Sequence, residues 1–428
     1  MVKVKKIMKR IYLILLVALA VSPAWAQATA DTRVTVFDSN ARSIKVAPAS
    51  NMYLPPVLVL GSDDYIVVNF DYVDYDVHYL RYSIQHCDAL WQPSQLLESE
   101  YLDGFNYADI NDYAQSEGTF THYYNYTFTL PNDDMCMTRS GNYVVRVYEQ
   151  DDPDNVLFQT RFMVCEPRVT VLADVSANTD EDYLDAHQQL TINLNYKHGT
   201  IADPYGELTT VIYQNTRTDN AVVLRRPMSA GIGTVTYEHQ PELIFEAGNE
   251  YRRFETVNIH TLNMGVAGID YVQPFYHATL FADEPRVNQQ YLYDQTQRGR
   301  FTIRNAEGED SNIDADYVVT HFALNTAGQV QGGNIFIEGE FTHGLPASTT
   351  VMKYDASSGC YVNDLLLKQG AYNYQYLWVP NGDNIGQTAV IDGDKYQTQN
   401  QYLILVYHRP SGGRYDQLVG YGITRPTH

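Results

Sequence analysis

The alternation of apolar and polar side chains in short runs restricts the fold of this 428-residue chain more than any other feature. In segment 190–196, leucine, isoleucine or tyrosine occupies every second position, and threonine or asparagine fills the positions between them. Segments 143–148 and 371–378 alternate in a similar way. A period of two places the two sets of side chains on opposite faces of a β-strand. Together with 36 tyrosines and no long helical periodicity, the pattern predicts an all-β protein.

Two of these strands begin in the same way. Gly141 and Gly370 each stand two residues before a strand tyrosine, Tyr143 and Tyr372 respectively. Both pairs fall late in a predicted domain, which indicates a repeated module of the immunoglobulin type. We therefore expect tandem immunoglobulin-like β-sandwich domains.

Chain length and two breaks in composition predict three domains after a leader segment. The first break, Glu166-Pro167, follows one strand pattern and precedes another. The second is the polar stretch 304–312, which is rich in turn formers and acidic residues. The predicted domains are 27–167, 168–311 and 312–428.

The N-terminal segment 1–26 has the parts of a secretory signal peptide. Five basic residues precede an apolar run from 11 to 21, which is too short to span a membrane, and a small-x-small pattern follows. We expect cleavage between Ala26 and Gln27 and export of the mature chain. No cysteine follows the apolar run and no later segment has 18 uninterrupted apolar residues, so we expect neither a lipid anchor nor insertion into the membrane.

The charge balance argues against nucleic acid as a partner. The chain has 51 Asp and Glu residues against 29 Lys and Arg, a formal net charge of −22. Proteins that follow a phosphate backbone need a basic face, and here neighbouring arginines occur only as pairs such as Arg225-Arg226. Anionic lipid is disfavoured for the same reason.

No motif for catalysis or cofactor binding is present. The sequence has no H-E-x-x-H, G-x-S-x-G or phosphate-binding glycine loop, and its twelve histidines are scattered. The acidic segments 151–154 and 392–394 are interpreted as turns rather than calcium sites, because further oxygen ligands are missing. We expect a protein that is not an enzyme and that binds no cofactor, metal ion or small-molecule ligand.

The sequence does not determine whether its four cysteines form disulfides. They are Cys87, Cys136, Cys165 and Cys360. In an exported protein they allow three disulfide connectivities. Buried free thiols are an equal alternative, because cysteine is among the most buried residue types.

Four segments carry a resemblance to a known family. Segment 82–94 reads as a strand running into a loop closed by Trp91 and Pro93, and segment 99–105 follows it. With 54–61 upstream and 140–148 downstream, this pattern resembles the plug protein family of the type IX secretion system of Bacteroidetes, formerly a family of unknown function. The resemblance covers nearly the whole mature chain.

The C-terminal segment resembles a second family, the early-set immunoglobulin-like domains of the kind that binds glycogen. The resemblance lies in 334–341, 352–355, 359–361 and 365–374. Where that family continues into a loop that carries a tryptophan, this chain has Thr342-His343-Gly344. A glycan-binding module of a polysaccharide-utilisation system is therefore the alternative function, although its sugar-stacking tryptophan is missing.

The first resemblance implies a periplasmic gate at the inner face of the outer membrane. The plug of this family occludes the periplasmic opening of a very large SprA-type translocon barrel, which is the implied partner. We expect a three-module β rod whose loop residues Trp91, Tyr101 and Phe105 supply aromatic anchors to that partner. Arg252 and Arg253 have two equal interpretations, a buried structural pair or a contact with the partner.

Overall fold

The computed structural model describes residues 34–215, 217–343 and 347–426. The expected signal peptide and its cleavage site at Ala26 and Gln27 lie outside the described residues. The described chain is nearly all β-strand, which confirms the all-β prediction. Its regular helices are single turns, α1 (Glu98–Tyr101), α2 (Pro204–Glu207) and α3 (Ser311–Asp314), with 3₁₀ turns at Pro241–Leu243 and Glu340–Thr342.

The first β-sandwich is built from the N-terminal strands. One sheet has the order β1-β12-β11-β5-β7, with β3 parallel to β12, and the other has the order β2-β4-β9-β8, while β6 pairs with β10. Along β11, Tyr143, Val145 and Val147 are all buried, as the alternation predicts. The strands are β1 (Val34–Val36), β2 (Ala41–Pro48), β3 (Val57–Val59), β4 (Ile66–Tyr72), β5 (Leu80–Cys87), β6 (Leu102–Gly104), β7 (Ala108–Asp109), β8 (Asp112–Gln115), β9 (Tyr124–Leu130), β10 (Met135–Met137), β11 (Gly141–Glu149) and β12 (Asp152–Cys165).

The second sandwich begins immediately after β12. Its first sheet has the order β13-β14-β18-β17, with β19 on β14, and β14 buries Leu190, Ile192 and Leu194. The strands of this segment are β13 (Val169–Ser176), β14 (His187–Tyr196), β15 (Leu208–Gln214), β16 (Val222–Leu224), β17 (Ser229–Gly231), β18 (Thr234–Tyr237) and β19 (Ile244–Glu246).

The third sandwich has a five-stranded sheet in the order β21-β22-β24-β27-β26, in which β22 and β24 are parallel. In the facing sheet, β28 pairs with β20, β23 and β25. The strands are β20 (Arg252–Glu255), β21 (Val266–Val272), β22 (Phe275–Leu280), β23 (Phe301–Ile303), β24 (Tyr317–Leu324), β25 (Gly333–Glu338), β26 (Lys353–Asp355), β27 (Cys360–Lys368) and β28 (Gly370–Pro380).

The last two strands, β29 (Tyr402–His408) and β30 (Gln417–Thr424), return to the second sandwich. β29 pairs with β15 and β30, which completes the sheet β16-β15-β29-β30 over the second core. The predicted segment 312–428 is therefore divided between two sandwiches. Strands β20 to β23, which lie in the predicted segment 168–311, belong to the third sandwich. The boundary expected near 311 does not follow the sheets, because pairing between distant strands leaves no mark in local composition.

The three sandwiches contact one another. An apolar cluster that includes Trp91, Cys165 and Leu405 fills the junction between the first and second. The first and third share a buried ion pair, Asp71 with Lys368. The second and third meet where Asp219 accepts a hydrogen bond from the backbone N–H of Gly386 at 2.8 Å. The expected three-module β rod is therefore corrected, because each module contacts both of the others.

Candidate partner-binding surface

Trp91 lies inside the molecule, at the junction of the first and second sandwiches. The loop after β5 holds it in the left-handed region at φ 63°, and its side chain is 7% exposed. Its indole N–H donates to the Tyr213 hydroxyl at 3.2 Å, and the Arg161 guanidinium lies 4.5 Å from its ring centroid. This position does not fit the expected role in a partner interface. Trp91 instead joins two modules of the same chain.

Tyr101 is a core residue. It ends α1, is fully buried, and donates its hydroxyl hydrogen to the Ile84 carbonyl at 3.3 Å. Its ring lies beside those of His86 and Tyr143 in the first core. The expected anchor role at the surface is corrected, because the side chain cannot reach a partner while the sandwich is folded.

Phe105 is the predicted aromatic anchor that the structure places at the surface. It follows Gly104, at φ 109°, where a Cβ atom would lie 2.0 Å from the Asp134 carbonyl oxygen, so only glycine fits this turn. The turn leaves the Phe105 ring 70% exposed. Phe105, directly after β6, is therefore exposed, while Leu102 at the start of that strand is buried.

Phe105 belongs to a surface group that we name the aromatic patch, formed by the exposed rings of Phe105 and Tyr107 and the partly exposed side chain of Arg81. The Phe105 and Tyr107 ring centroids lie 5.8 Å apart, and the Arg81 guanidinium lies 4.9 Å from the Tyr107 centroid. Nε of Arg81 donates to Asp109 at 2.6 Å, which holds the guanidinium in place. Aromatic rings and arginine are the residues that protein interfaces favour. Sequence reasoning missed Tyr107 and Arg81, although the spacing of Tyr107 from Phe105 was a signal.

Arg252 forms a buried structural network rather than an exposed contact. Its guanidinium lies 2.6 Å from Asp283 and 2.8 Å from Asp392, which also accepts from Arg286. Burial alone would raise the pKa of Asp392, but the charges of Arg252 and Arg286 bring it below the ordinary value. Of the two interpretations left open by the sequence, the structural one holds for Arg252.

Arg253 lies nearer to the surface than Arg252. It makes a two-point contact with Asp294, with nitrogen to oxygen distances of 2.8 and 3.0 Å, and both side chains are partly exposed. The residues before Asp294, Leu292 and Tyr293, are exposed as well. A role of Arg253 in a partner contact stays a prediction.

The four cysteines are free thiols. Cys87 and Cys165 are buried, and burial raises the pKa of each thiol to about 12. Cys136 is exposed and Cys360 is partly exposed. Of the two alternatives, the structure therefore has free thiols rather than disulfides. The two buried thiols behave as apolar core atoms.

Trp378 is partly buried rather than freely exposed. It lies in β28 and packs against the third core. Gly333 covers part of the indole so closely that a Cβ atom there would lie 2.7 Å from the ring. The third core and Gly333 therefore cover part of the ring that stacking on a sugar would need.

The described residues hold no group of three or more His, Cys, Asp or Glu side chains arranged to bind a metal ion. Within the same residues, no helix has the length and apolar character needed to cross a bilayer.

The fold and the aromatic patch define an all-β protein of three packed sandwiches with a candidate surface for binding another protein. Residues 41–166, which form most of the first sandwich, match the family model described as the type 9 secretion system plug protein 1st domain. The chain belongs to the type IX secretion system plug protein family.

A solved structure agrees with the fold over almost the whole chain. It is the crystal structure of a hypothetical protein from Parabacteroides merdae ATCC 43184, which is 40% identical in sequence with a TM-score of 0.90. The similarity covers 92% of this chain and 99% of that one. No curated protein matches the sequence.

Proposed function

We propose that this protein is a periplasmic plug that binds and occludes the periplasmic opening of the SprA-type outer-membrane translocon, without catalysis. Membership of the plug protein family is the observation that carries the proposal. The protein then works at the inner face of the outer membrane, and its partner is the translocon barrel.

The fold suits a removable stopper. A pore wide enough for folded cargo leaks periplasmic contents unless a folded body closes it at rest. The first sandwich is joined to the second by an apolar cluster and to the third by a buried ion pair, so the three modules resist displacement as a unit. The formal net charge of −22 would orient such a body against a basic surface of the barrel.

The aromatic patch is the part of this surface that we assign to the barrel. It lies in the sandwich that matches the family model, and Phe105 and Tyr107 can bury large apolar area without rearrangement of the core. Anchors of this kind carry most of the binding energy of many protein interfaces. Arg253 is a second, separate candidate contact.

A pulldown from the native outer membrane in mild detergent tests the proposal, with a C-terminally tagged copy and mass spectrometry of the retained proteins. We expect a translocon-sized barrel to be recovered. The paired substitution Phe105→Ala and Tyr107→Ala should reduce recovery at least about tenfold, which corresponds to the loss of one interface hot spot. Tyr75→Ala with Tyr79→Ala is the matched control, because both rings are exposed on the same sandwich.

Each result of the pulldown has one meaning. If the tagged protein is recovered without a barrel protein, the plug function is contradicted. If glycan-uptake components are recovered with it instead, the glycan-binding alternative is favoured. Undiminished recovery with the Phe105 and Tyr107 variant would leave the function standing and remove the aromatic patch from the interface.

Occlusion requires its own measurement. Purified translocon in a planar bilayer should conduct ions when it is alone, and addition of this protein to the periplasmic side should lower the conductance. Binding without a fall in conductance would show an accessory subunit rather than a plug.

A further inference from the structure

The five-stranded sheet of the third sandwich has two edges that differ in their protection. β26, at one edge, has three residues and begins with Lys353. β21, at the other edge, has seven residues and contains no lysine, arginine or proline. Short length and edge lysines are the means by which natural sheets avoid pairing with another chain. One edge of this sheet is therefore protected, and the other is left open over 268–272, beyond the register shift between Val266 and Gly268.

Exposed apolar side chains surround the open edge. Tyr271 and Val272 are exposed on β21 itself, and the backbone N–H of Phe281 bonds to the Gly265 carbonyl at 3.0 Å, which brings that exposed ring to the start of the strand. Leu262 and Met264, just before β21, are exposed as well. Isolated apolar residues at a surface are ordinary, but a group along an unpaired strand is typical of an interaction site.

The first sandwich extends this surface across the junction between the two modules. The Phe120 ring lies 5.0 Å from Tyr271 and 5.4 Å from Tyr276, and it is itself half exposed. The apolar surface therefore continues beyond β21 and is supported from two sandwiches.

The negative charge of Asp270 at this edge favours a partner segment that carries a basic residue. Asp270 is the charged residue of β21, it is exposed, and no hydrogen bond or ion pair joins it to another described residue. His277 lies directly across from it on β22, but Nδ1 of that ring is 2.8 Å from Nε2 of His321 and is engaged there. A lysine or arginine from outside would complement Asp270. A second copy of this chain is disfavoured, because each copy carries a formal charge of −22.

We propose that β21 docks an extended segment of a partner protein, which adds to the sheet as a sixth strand. The segment has apolar and basic side chains at alternating positions. Its apolar set lies on the face of the sheet that carries Tyr271, and a basic residue lies opposite Asp270 on the other face, which Asp270 shares with Val272. Backbone N–H and C=O groups on the open side of β21 are matched geometrically by another strand, which is how strand addition gains affinity. The inference is independent of the plug function and of the aromatic patch.

A probe peptide tests this inference with the full mature chain. The probe has seven residues, alternating valine and lysine, and a second peptide has glutamate in place of lysine. Binding of the lysine peptide should slow amide hydrogen exchange in residues 266–272, as measured by mass spectrometry, and fluorescence anisotropy should give its affinity. Asp270→Lys should weaken binding about tenfold, since one cross-strand charge pair changes from attraction to repulsion.

Two further variants keep the test clear. Asp270→Asn should weaken binding several-fold and serves if the lysine variant does not fold. Lys353→Glu, on the protected edge, should leave the affinity unchanged. The proposal is overturned if exchange at 266–272 is not slowed, if the glutamate peptide binds equally well, or if β21 is protected without peptide by self-association of the chain.

Discussion

The Nζ atom of Lys368 lies 2.7 Å from Oδ2 of Asp71, although 297 residues separate the two along the chain and each side chain is only 1% exposed. The Tyr317 hydroxyl donates to the same oxygen at 2.7 Å, and the Lys368 ammonium also donates to the Asn312 carbonyl. Burial lowers the pKa of Lys368, and the charge of Asp71 opposes this shift. This pair joins the first sandwich to the third.

Asp71→Asn should destabilise the protein by about 3 kcal/mol, because it leaves the Lys368 charge buried without its counter-ion. Urea unfolding followed by circular dichroism measures the loss. Asp76→Asn is the control, since Asp76 is exposed in the loop after β4 and should change stability by less than about 0.5 kcal/mol. Equal effects of the two variants would show that the Asp71 pair contributes nothing to stability.

Trp91→Ala should cost about 3 to 5 kcal/mol, as large aromatic truncations in packed interiors do. The substitution removes the ring that packs with Cys165, Leu403 and Leu405 between two sandwiches. Trp91→Phe keeps most of the packing and loses the hydrogen bond to Tyr213, so it should cost about 1 kcal/mol beyond any lost contact area. Chemical denaturation of both variants provides the measurement, and a Trp91→Ala protein as stable as the wild type would contradict this assignment.

Tyr101→Ala and Phe105→Ala should have very different effects on stability, although the two residues are only four positions apart. Tyr101 is fully buried, so its truncation should lower the free energy of unfolding by about 3 kcal/mol or more. Phe105 is exposed, and its truncation should change that free energy by less than about 0.5 kcal/mol. Thermal melts of the two single variants measure the two losses. A larger loss for Phe105→Ala than for Tyr101→Ala would place Phe105 in the core.

The four thiols should react at very different rates with iodoacetamide. Cys136 is exposed and should be alkylated first, whereas burial and a pKa of about 12 keep Cys87 and Cys165 unreactive in the native protein. Peptide mapping by mass spectrometry at several times gives the order. Rapid native labelling of Cys165 would show that the junction between the first two sandwiches opens.

His86 should make stability depend on pH between about 4 and 6.5. Burial lowers the pKa of its imidazole to about 4, so the native ring is neutral and the unfolded chain binds more protons in this interval. Its contribution to stability is complete well above pH 6.5, begins to fall near that pH, and is lost as the pH falls toward 4. From pH 6.5 to 5 the wild type should lose about 1.5 kcal/mol more than His86→Gln. Urea titrations at both pH values measure this difference, and parallel losses would contradict the shift.

Much of the local structure was predictable from the sequence. Tyr143, Val145 and Val147 alternate with their neighbours and all three are buried in β11. Leu190, Ile192 and Leu194 do the same in β14. The family was recognisable as well, and the segments that carry its signature, 54–61, 82–94, 99–105 and 140–148, all fall within the first sandwich.

The candidate surface was predictable only in part. Trp91, Tyr101 and Phe105 lie within 15 positions, yet the first two are buried and the third is exposed. Trp91 is buried against Tyr213 of the second sandwich, and Tyr101 bonds to the Ile84 carbonyl on another strand of the first. Local spacing carries no information about such partners.

The sequence by itself determined the strand class, the acidic charge and the family, because alternation, composition and motif spacing are properties of neighbouring residues. Only the tertiary structure decided that β29 pairs with β15, that Asp71 meets Lys368, and that the Arg252 side chain is 9% exposed while that of Arg253 is 32% exposed. These relationships join residues as many as 297 positions apart. Burial and strand pairing depend on which surfaces come together and exclude water, and this is a property of the whole folded chain.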